Sequence, residues 1–361
     1  MPEINGELVH IDCIYFRGDV PCKPNKEAGY HCAGCPAYSP IGKRILIIKL
    51  GAIGDVIRTT PLLQKIRHEY PDAKITWLTH TPAILPKNAI DEIVKFDLAA
   101  ILYLQQTSFD ILYNLDKDKE ACALYNSIQA DKKFGYKLKN GVAFPANELA
   151  HHKYLTGVFD DISLANKKSY VEEIFEICDW NFEGEEYIFN NHQDKGYAWP
   201  LNKDKPLIGL NTGCGDRWTT RLWSDAKWIR LINLLQTQNY KVVLLGGEAE
   251  DARNKVLKEQ TGATYLGYFK LEQFINLMYQ MDVIVTQVTM AMHIAIALQK
   301  KMVLMNNIFN PHEFELYGRG AIVQPDKACS CFYRGTCQFG VSCMEALPAE
   351  KVFSEVVACL N

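Results

Sequence analysis

The sequence predicts an α/β protein of two domains, each built on a parallel sheet with helices on both faces. The chain has 361 residues, which is too long for one typical hydrophobic core. Short apolar runs alternate with amphipathic stretches along most of its length, which is typical of parallel strands joined by helices. Apolar residues make up 48% of the chain and charged residues 22%, as in ordinary globular proteins.

The first series of elements begins after a cysteine-rich arm, residues 1–43, that has no sustained period. Strands are expected at residues 44–49, 74–79, 92–96 and 110–114. Helices are expected at 56–70, 120–128 and 169–178. These elements form a first domain over residues 44–185, and the polar stretch 181–205 is interpreted as the linker between domains.

The second series begins at Pro206 and forms a domain over residues 206–325. Strands are expected at 207–211, 241–245, 282–286 and 301–305, with helices at 225–238, 251–261, 271–281 and 290–298. Residues 326–361 form a cysteine-containing segment that we expect to return toward the first domain.

Charge and hydropathy exclude several classes of protein. The net charge of −3 provides no general attraction to nucleic acid, so no nucleic-acid partner is expected. No segment approaches the ~20 apolar residues of a membrane-spanning helix, and residues 1–9 lack the apolar run of a signal peptide. We therefore expect a cytoplasmic protein.

The first motif that could supply a catalytic or binding group runs from Gly51 through Gly54 to Asp55, between a strand and a helix. Ligands of open α/β sheets bind at the carboxyl ends of the strands, so Asp55 is expected at the mouth of a binding site. A carboxylate there can act as a general base. Alternatively, Asp55 caps its helix. The spacing is not that of a dinucleotide fingerprint.

The second motif follows the first strand of the second domain, where Thr212 and Gly213 precede Arg217 and Arg221. Small residues and arginines at a strand end suit a diphosphate. The alternative is that both arginines are solvated loop charges.

Two further strand ends in the second domain have ligand-binding potential. Gly247 and Glu250 follow one of them, and a carboxylate there can accept hydrogen bonds from sugar hydroxyls; the alternative is a plain turn with acids at a helix start. Thr289 and His293 follow another, where free amides would face an anion. The alternative for His293 is simple packing.

Together these motifs resemble glycosyltransferase family 9, the ADP-heptose:lipopolysaccharide heptosyltransferases, over roughly residues 44–355. The strongest similarity is at residues 45–61, which match the family's opening strand, its Gly-Asp pair and the proline six residues later. The resemblance implies a GT-B fold, in which two Rossmann-like domains face each other across a cleft. It also implies inverting transfer without a catalytic metal.

The resemblance also implies roles for individual residues. The family's candidate base corresponds to Asp55, and its basic residue near the donor phosphates corresponds to Arg221, where lysine is commoner. The acid after its second-domain glycines corresponds to Glu250, and its late histidine to His293.

The sequence departs from the family in the expected donor site. The family usually has Asp-Thr-Gly before the late histidine, whereas this chain has Val288, Thr289 and Met290. The acid is lost, and the Met290 side chain replaces a glycine where backbone would approach a phosphate. A different donor, or weaker catalysis, is therefore an open alternative.

Two groups of four cysteines flank the domains. In a reducing compartment, clustered thiols favour a metal site over disulfides, so we expect structural zinc, iron or an iron–sulfur cluster. The alternative is unligated thiols. The two groups are Cys13, Cys22, Cys32 and Cys35, and Cys329, Cys331, Cys337 and Cys343.

The function expected from these features is transfer of a heptose, or a related sugar, from an ADP-sugar to a lipopolysaccharide core or similar glycan acceptor. Contact with the cytoplasmic face of the inner membrane follows if the acceptor is a glycolipid. One alternative is a glycosyltransferase that uses another nucleotide-sugar and a protein or other glycan. Another is a non-catalytic scaffold with a degenerate donor site.

Overall fold

The computed structural model describes residues 3–4, 6–189 and 196–361. Contacts divide it into two compact units. The first comprises Met1–Leu50, Leu62–Ala83 and Lys87–Ala150, and the second comprises Gly51–Pro61, Ile84–Pro86 and His151–Asn361.

Strands and helices alternate along both units. The strands are β1 Glu3–Ile4, β2 Glu7–Leu8, β3 Lys43–Ile48, β4 Ala73–Thr79, β5 Glu92–Lys95, β6 Ser108–Asn114, β7 Gln129–Lys139, β8 Val142–Pro145, β9 Leu207–Asn211, β10 Lys241–Leu245, β11 Val283–Gln287, β12 Lys301–Met305 and β13 Gly320–Val323. The helices are α1 Lys23–Ala28, α2 Ile53–Ile57, α3 Leu62–Glu69, α4 Leu98–Gln105, α5 Lys119–Ser127, α6 His151–Thr156, α7 Asp160–Ala165, α8 Tyr170–Ile177, α9 Asp225–Thr237, α10 Asp251–Thr261, α11 Leu271–Tyr279, α12 Met290–Ala297 and α13 Ala349–Leu360.

The sheet of the first unit has the order β5-β4-β3-β6-β7-β8. Neighbouring strands are parallel except for the β7–β8 pair. Ile47 in the central strand lies opposite Trp77 on one side and Tyr113 on the other, and all three are buried. Burial on both faces explains why β3 is a continuous apolar run without alternation.

The sheet of the second unit has the order β10-β9-β11-β12-β13, with parallel neighbours throughout. The direction in which successive strands are added changes between β9 and β11. In open α/β sheets, the loops at the carboxyl ends of two such strands run to opposite sides, and ligands bind between them. Trp223 and Trp228 meet edge to face at 5.1 Å in the core beneath α9. The predicted α/β class with two parallel sheets is confirmed.

One predicted helix is interrupted. Residues 56–70 contain the end of α2 and all of α3, separated by Arg58–Pro61. The hydroxyls of Thr59 and Thr60 donate to the carbonyls of Asp55 and Ile57, both at 2.7 Å. Pro61 has no N–H to continue the helix, so the break is set locally.

The grouping of residues differs from the predicted domain boundaries in the middle of the chain. Residues 151–185, predicted in the first domain, group with the second unit. The Asn310 amide illustrates why, since it donates to the carbonyls of Ser163 and Asn166, both at 2.7 Å. Of the predicted linker, residues 190–195 lie outside the described part of the chain.

The C-terminal segment contributes to the core of the second unit. Val352 and Val356 of α13 are buried in that core, and the indole of Trp223 donates to the Leu347 carbonyl at 3.2 Å. The segment therefore covers the second sheet, and its predicted return toward the first domain stays a prediction. Within the described residues, no helix is both long enough and apolar enough to cross a bilayer.

Candidate active site

Asp55 is the third residue of α2, which begins directly after the loop that ends β3. Its side chain is one-third exposed, and its Oδ1 atom lies 2.7 Å from Nη2 of Arg58. The three-residue spacing on a helix places the two side chains on one face. The acid is thus both accessible and held in position by a neighbouring cation.

Arg58 joins two carboxylates. Its Nη1 atom lies 2.8 Å from Oε1 of Glu313, and its guanidinium stacks 3.4 Å above the ring of Tyr170. The hydroxyl of Tyr333 donates to Oε2 of Glu313 at 2.6 Å. A planar, permanently charged group suits this combination of ion pairs and stacking better than lysine would.

The charges in this group are mutually stabilised. Burial opposes the positive charge of Arg58, but the carboxylates of Asp55 and Glu313 outweigh it and raise the Arg58 pKa. Burial likewise opposes the charge of Glu313, but Arg58, Lys153 and the Tyr333 hydrogen bond hold its pKa below the usual value. Arg58 and Glu313 are therefore both ionised at neutral pH.

Gly54 lies directly against His293 of α12. A Cβ atom at Gly54 would lie 2.5 Å from Cδ2 of the imidazole, closer than any side chain tolerates. The motif glycine is thus required by close packing of α2 on α12, and this packing brings Asp55 toward the helix that follows β11.

His293 is buried and uncharged. Burial, assisted by the positive charge of Arg58, lowers its pKa to about 3. Its ring lies parallel to that of Tyr187, with centroids 6.4 Å apart. Its Nδ1 atom is buried without a hydrogen-bond partner among the described residues. Packing explains the ring's position, as the alternative reading of His293 predicts, and the unpaired nitrogen is enclosed by protein.

The loop after β9 packs closely against the start of α10. The hydroxyl of Thr212 donates to Oδ1 of Asn254 at 2.6 Å. A Cβ atom at Gly213 would lie 1.8 Å from Oε1 of Glu250. The other carboxylate oxygen of Glu250 accepts a hydrogen bond from the Gly247 amide at 2.8 Å. Glu250 thus fixes the turn after β10, as the structural alternative for that motif predicts.

Arg221 is buried and bonded to backbone carbonyls. Its Nη2 donates to the Cys214 carbonyl at 2.7 Å and its Nε to the Trp218 carbonyl at 3.2 Å. Burial lowers its pKa. Among the described side chains, no carboxylate lies within ion-pair distance of it. A buried guanidinium without an anion is costly unless a ligand supplies one.

The carboxyl ends of β9 and β11 are joined by polar contacts. The side-chain amide of Asn211 donates to the Thr286 hydroxyl at 3.1 Å, and Thr289 caps α12 by accepting from the Ala291 amide. Val288 is buried and Met290 is half-buried at the first turn of the helix. Both therefore occupy the end of the sheet where an anion is expected.

A chain of aromatic contacts links Arg221 to the acid. Arg221 lies 5.6 Å from the Phe309 ring centroid, and Phe309 lies 5.1 Å from the ring of Tyr333. Tyr333 then donates to Glu313, which pairs with Arg58. The structure thus places Asp55, His293, Arg221 and the glycine loops in one unit. The side chain of Arg217 lies outside what the structure describes.

Arg58, Glu313, Tyr170 and Tyr333 are site residues that the sequence motifs do not single out. The spacing of Arg58 from Asp55 is a signal that could have identified the first ion pair. No local signal connects Glu313 or Tyr333 to Asp55, because more than 250 positions separate them.

The two cysteine groups lie in different units. All twelve cysteines are free thiols. The Sγ atoms of Cys331 and Cys337 lie 3.9 Å apart. The thiols of Cys329 and Cys343 are within hydrogen-bonding reach of each other. In the part of the chain that the structure describes, no three His, Cys, Asp or Glu side chains are arranged to hold a metal ion. The metal site stays a prediction.

Known proteins resemble this chain in fold. It superposes on glycosyltransferase family 9 of Veillonella parvula with a TM-score of 0.63 at 18% identity, covering 88% of this chain and 97% of that one. On E. coli ADP-heptose lps heptosyltransferase II it superposes with a TM-score of 0.63 at 16% identity, covering 88% of this chain and 98% of that one. On E. coli heptosyltransferase WaaC with ADP-2-deoxy-2-fluoro heptose the TM-score is 0.61 at 16% identity, with 87% of this chain and 99% of that one covered.

A family model adds evidence from sequence. No curated protein matches the chain. The model of glycosyltransferase family 9 (heptosyltransferase) matches residues 99–335, well over half of the chain. The protein therefore belongs to glycosyltransferase family 9 and is a glycosyltransferase with the GT-B fold.

Proposed function

We propose that the protein transfers a heptose from ADP-heptose, with inversion, to a sugar hydroxyl of a lipopolysaccharide core or a similar glycan. The names of the structural neighbours support the donor, since they include an ADP-heptose transferase and a transferase with an ADP-heptose analogue. A glycolipid acceptor would bring the protein to the cytoplasmic face of the inner membrane without a membrane-spanning segment.

The proposed step uses one base and one anion site. Asp55 removes the proton of the acceptor hydroxyl, and that oxygen attacks the anomeric carbon of the donor. The bond from this carbon to the diphosphate breaks, and ADP leaves with the electron pair. Arg221, Arg217 and the amides at the start of α12 stabilise the departing diphosphate, so no catalytic metal is required.

The packing of Gly54 on His293 is the observation that carries this proposal. It relates the acid after β3 to the loop after β9 directly through two helices, beside the indirect contacts that run through Phe309, Tyr333 and Glu313. With it, Asp55 lies on the helix that packs against α12, and α12 begins at the same sheet end as the Arg221 loop.

The test is turnover of ADP-heptose, with products identified by mass spectrometry. Asp55→Ala is expected to lower turnover by at least ~100-fold while the protein stays folded, because the base is lost. Asp161→Ala, an exposed acid in the first turn of another short helix, is the matched control and should keep normal turnover. Near-normal turnover by Asp55→Ala would exclude Asp55 as the base.

A different nucleotide-sugar is the second candidate donor, and Met290 favours it. The half-buried Met290 side chain lies at the first turn of α12, where the family's glycine leaves space. A panel of nucleotide-sugars would separate the two donors, and Met290→Gly should raise the use of ADP-heptose if crowding limits it. Family membership favours an enzyme over the non-catalytic scaffold.

A further inference from the structure

The N-terminal arm is ordered although it has no apolar core. Among the described residues before Arg44, no hydrophobic side chain is buried. Ile4, Ile11 and Val20 are between 44% and 60% exposed. The regular structure is limited to β1, β2 and the six-residue α1. A chain segment of about 40 residues usually needs a disulfide or a metal to fold in this way.

The four cysteines of this arm line a single small cavity. Its volume is about 20 Å³, and aromatic side chains such as Tyr15 and Tyr38 complete the wall. The cysteines are Cys13, Cys22, Cys32 and Cys35. They come from separate parts of the arm, so their convergence is a property of the fold and not of one motif.

Backbone contacts hold these parts together. Cys13 forms a β-bridge with Pro40, and the Ile14 amide donates to the Ser39 carbonyl at 2.9 Å. The Cys35 amide donates to the Cys32 carbonyl at 3.3 Å, across a turn in which Gly34 has a φ of 70°. A left-handed glycine permits this tight turn between the paired cysteines.

The size and chemistry of the cavity select the ligand. It has room for about one atom or ion, since a water molecule needs roughly 10–15 Å³. All four thiols are free, and four thiolates in a tetrahedral arrangement favour zinc. In the described part of the chain no three of these thiols are arranged around one point, so binding requires their side chains to move until each sulfur lies ~2.3 Å from the ion.

We propose that Cys13, Cys22, Cys32 and Cys35 bind one structural zinc ion. The four ligands leave no open coordination position, so the ion folds the arm and does not take part in sugar transfer. This proposal does not depend on the donor or acceptor of the transferase.

The test is the metal content of the purified full-length protein, measured by mass spectrometry. Cys32→Ser/Cys35→Ser should lose one zinc per chain relative to the wild type. Cys337→Ser/Cys343→Ser, which alters the other cysteine group, and Cys359→Ser, outside both groups, should each keep that ion. Unchanged zinc in the first variant would overturn the site, and loss of one iron instead would overturn the choice of zinc.

A second measurement on the wild type covers the case in which the first variant does not fold. Removing the ion with a chelator should accelerate tryptic cleavage after Lys26 by at least ~10-fold, because α1 has no buried residue of its own. Adding zinc back should restore protection. Equal cleavage rates before and after chelation would contradict a structural ion in the arm.

Discussion

Arg58 and Arg221 both have largely buried guanidinium groups in the second unit, but their surroundings differ. Arg58 lies between the carboxylates of Asp55 and Glu313. Arg221 donates to two backbone carbonyls and has no described carboxylate beside it. The first charge is balanced within the protein, whereas the second has no carboxylate partner among the described side chains. This difference suggests that Arg58 orients the base and that Arg221 binds the diphosphate.

The largest expected effect tests the balanced charge. Arg58→Ala removes the cation that pairs directly with the largely buried Glu313 and leaves only the weaker influence of Lys153, so the free energy of unfolding should fall by about 3 kcal/mol in urea titrations. Arg230→Ala, which breaks an exposed pair with Glu350, is the control and should cost less than about 1 kcal/mol. If both variants lose the same free energy of unfolding, the buried Arg58 ion pairs contribute no more to stability than the exposed pair does.

The second expected effect tests the unbalanced charge. Arg221→Gln removes charge-assisted hydrogen bonds to a bound diphosphate, so the Kd for ADP should rise by ~10–100-fold. The free energy of unfolding should change by no more than about 1 kcal/mol, because the lost backbone hydrogen bonds are offset by removing an uncompensated charge. Calorimetry with ADP measures the first and urea titration the second. Unchanged ADP affinity in Arg221→Gln would show that Arg221 does not bind the diphosphate.

The smallest expected effect concerns the neutral imidazole beside Arg58. The pKa of His293 is about 3 in the folded protein and about 6.5 when unfolded. As the pH falls below 6.5 the unfolded state binds the proton first, so stability present above pH 6.5 is lost toward pH 3. From pH 7 to pH 5 this loss should be ~1–2 kcal/mol, and His293→Gln should reduce it.

The control for this pH dependence is His68→Gln, since the His68 side chain is 80% exposed. It should leave the wild-type dependence unchanged. Glu313 does not confound the comparison, because its pKa is lowered and its carboxylate stays ionised between pH 7 and pH 5. If His293→Gln keeps the full dependence, the imidazole is not the group that titrates.

Four of the five strands of the second sheet were predictable because each is a short apolar run with clear ends, whereas the edge strand β13 was not predicted. β9, β10 and β12 have the predicted bounds. Strands buried on both faces need no alternation, so composition alone identifies them. By contrast, the sequence did not indicate β7, which is mostly polar and partly exposed, or α4, whose apolar residues include the 72% exposed Leu98.

The candidate site was predictable only where chemistry and local position coincide. Asp55 follows a glycine turn after a buried strand, and this position made it a candidate base, with helix capping as the alternative. Glu313 lies in a short 3-10 helix far along the chain, and its relation to Asp55 depends on tertiary packing through Arg58. The contacts of Glu250 with Gly247 and Gly213 could not be predicted either. A glutamate that fixes a turn and a glutamate that binds a sugar can occupy the same position in a sequence motif.

Gly51–Pro61 comes from the beginning of the chain but groups with residues of its far half. A polypeptide that begins at His151 would therefore lack both the acid and Arg58, the cation that pairs with Glu313 at 2.8 Å. The halves of this transferase are not interchangeable modules. Chimeras between relatives must move Gly51–Pro61 together with His151–Asn361 if the acid and its partners are to come from one parent.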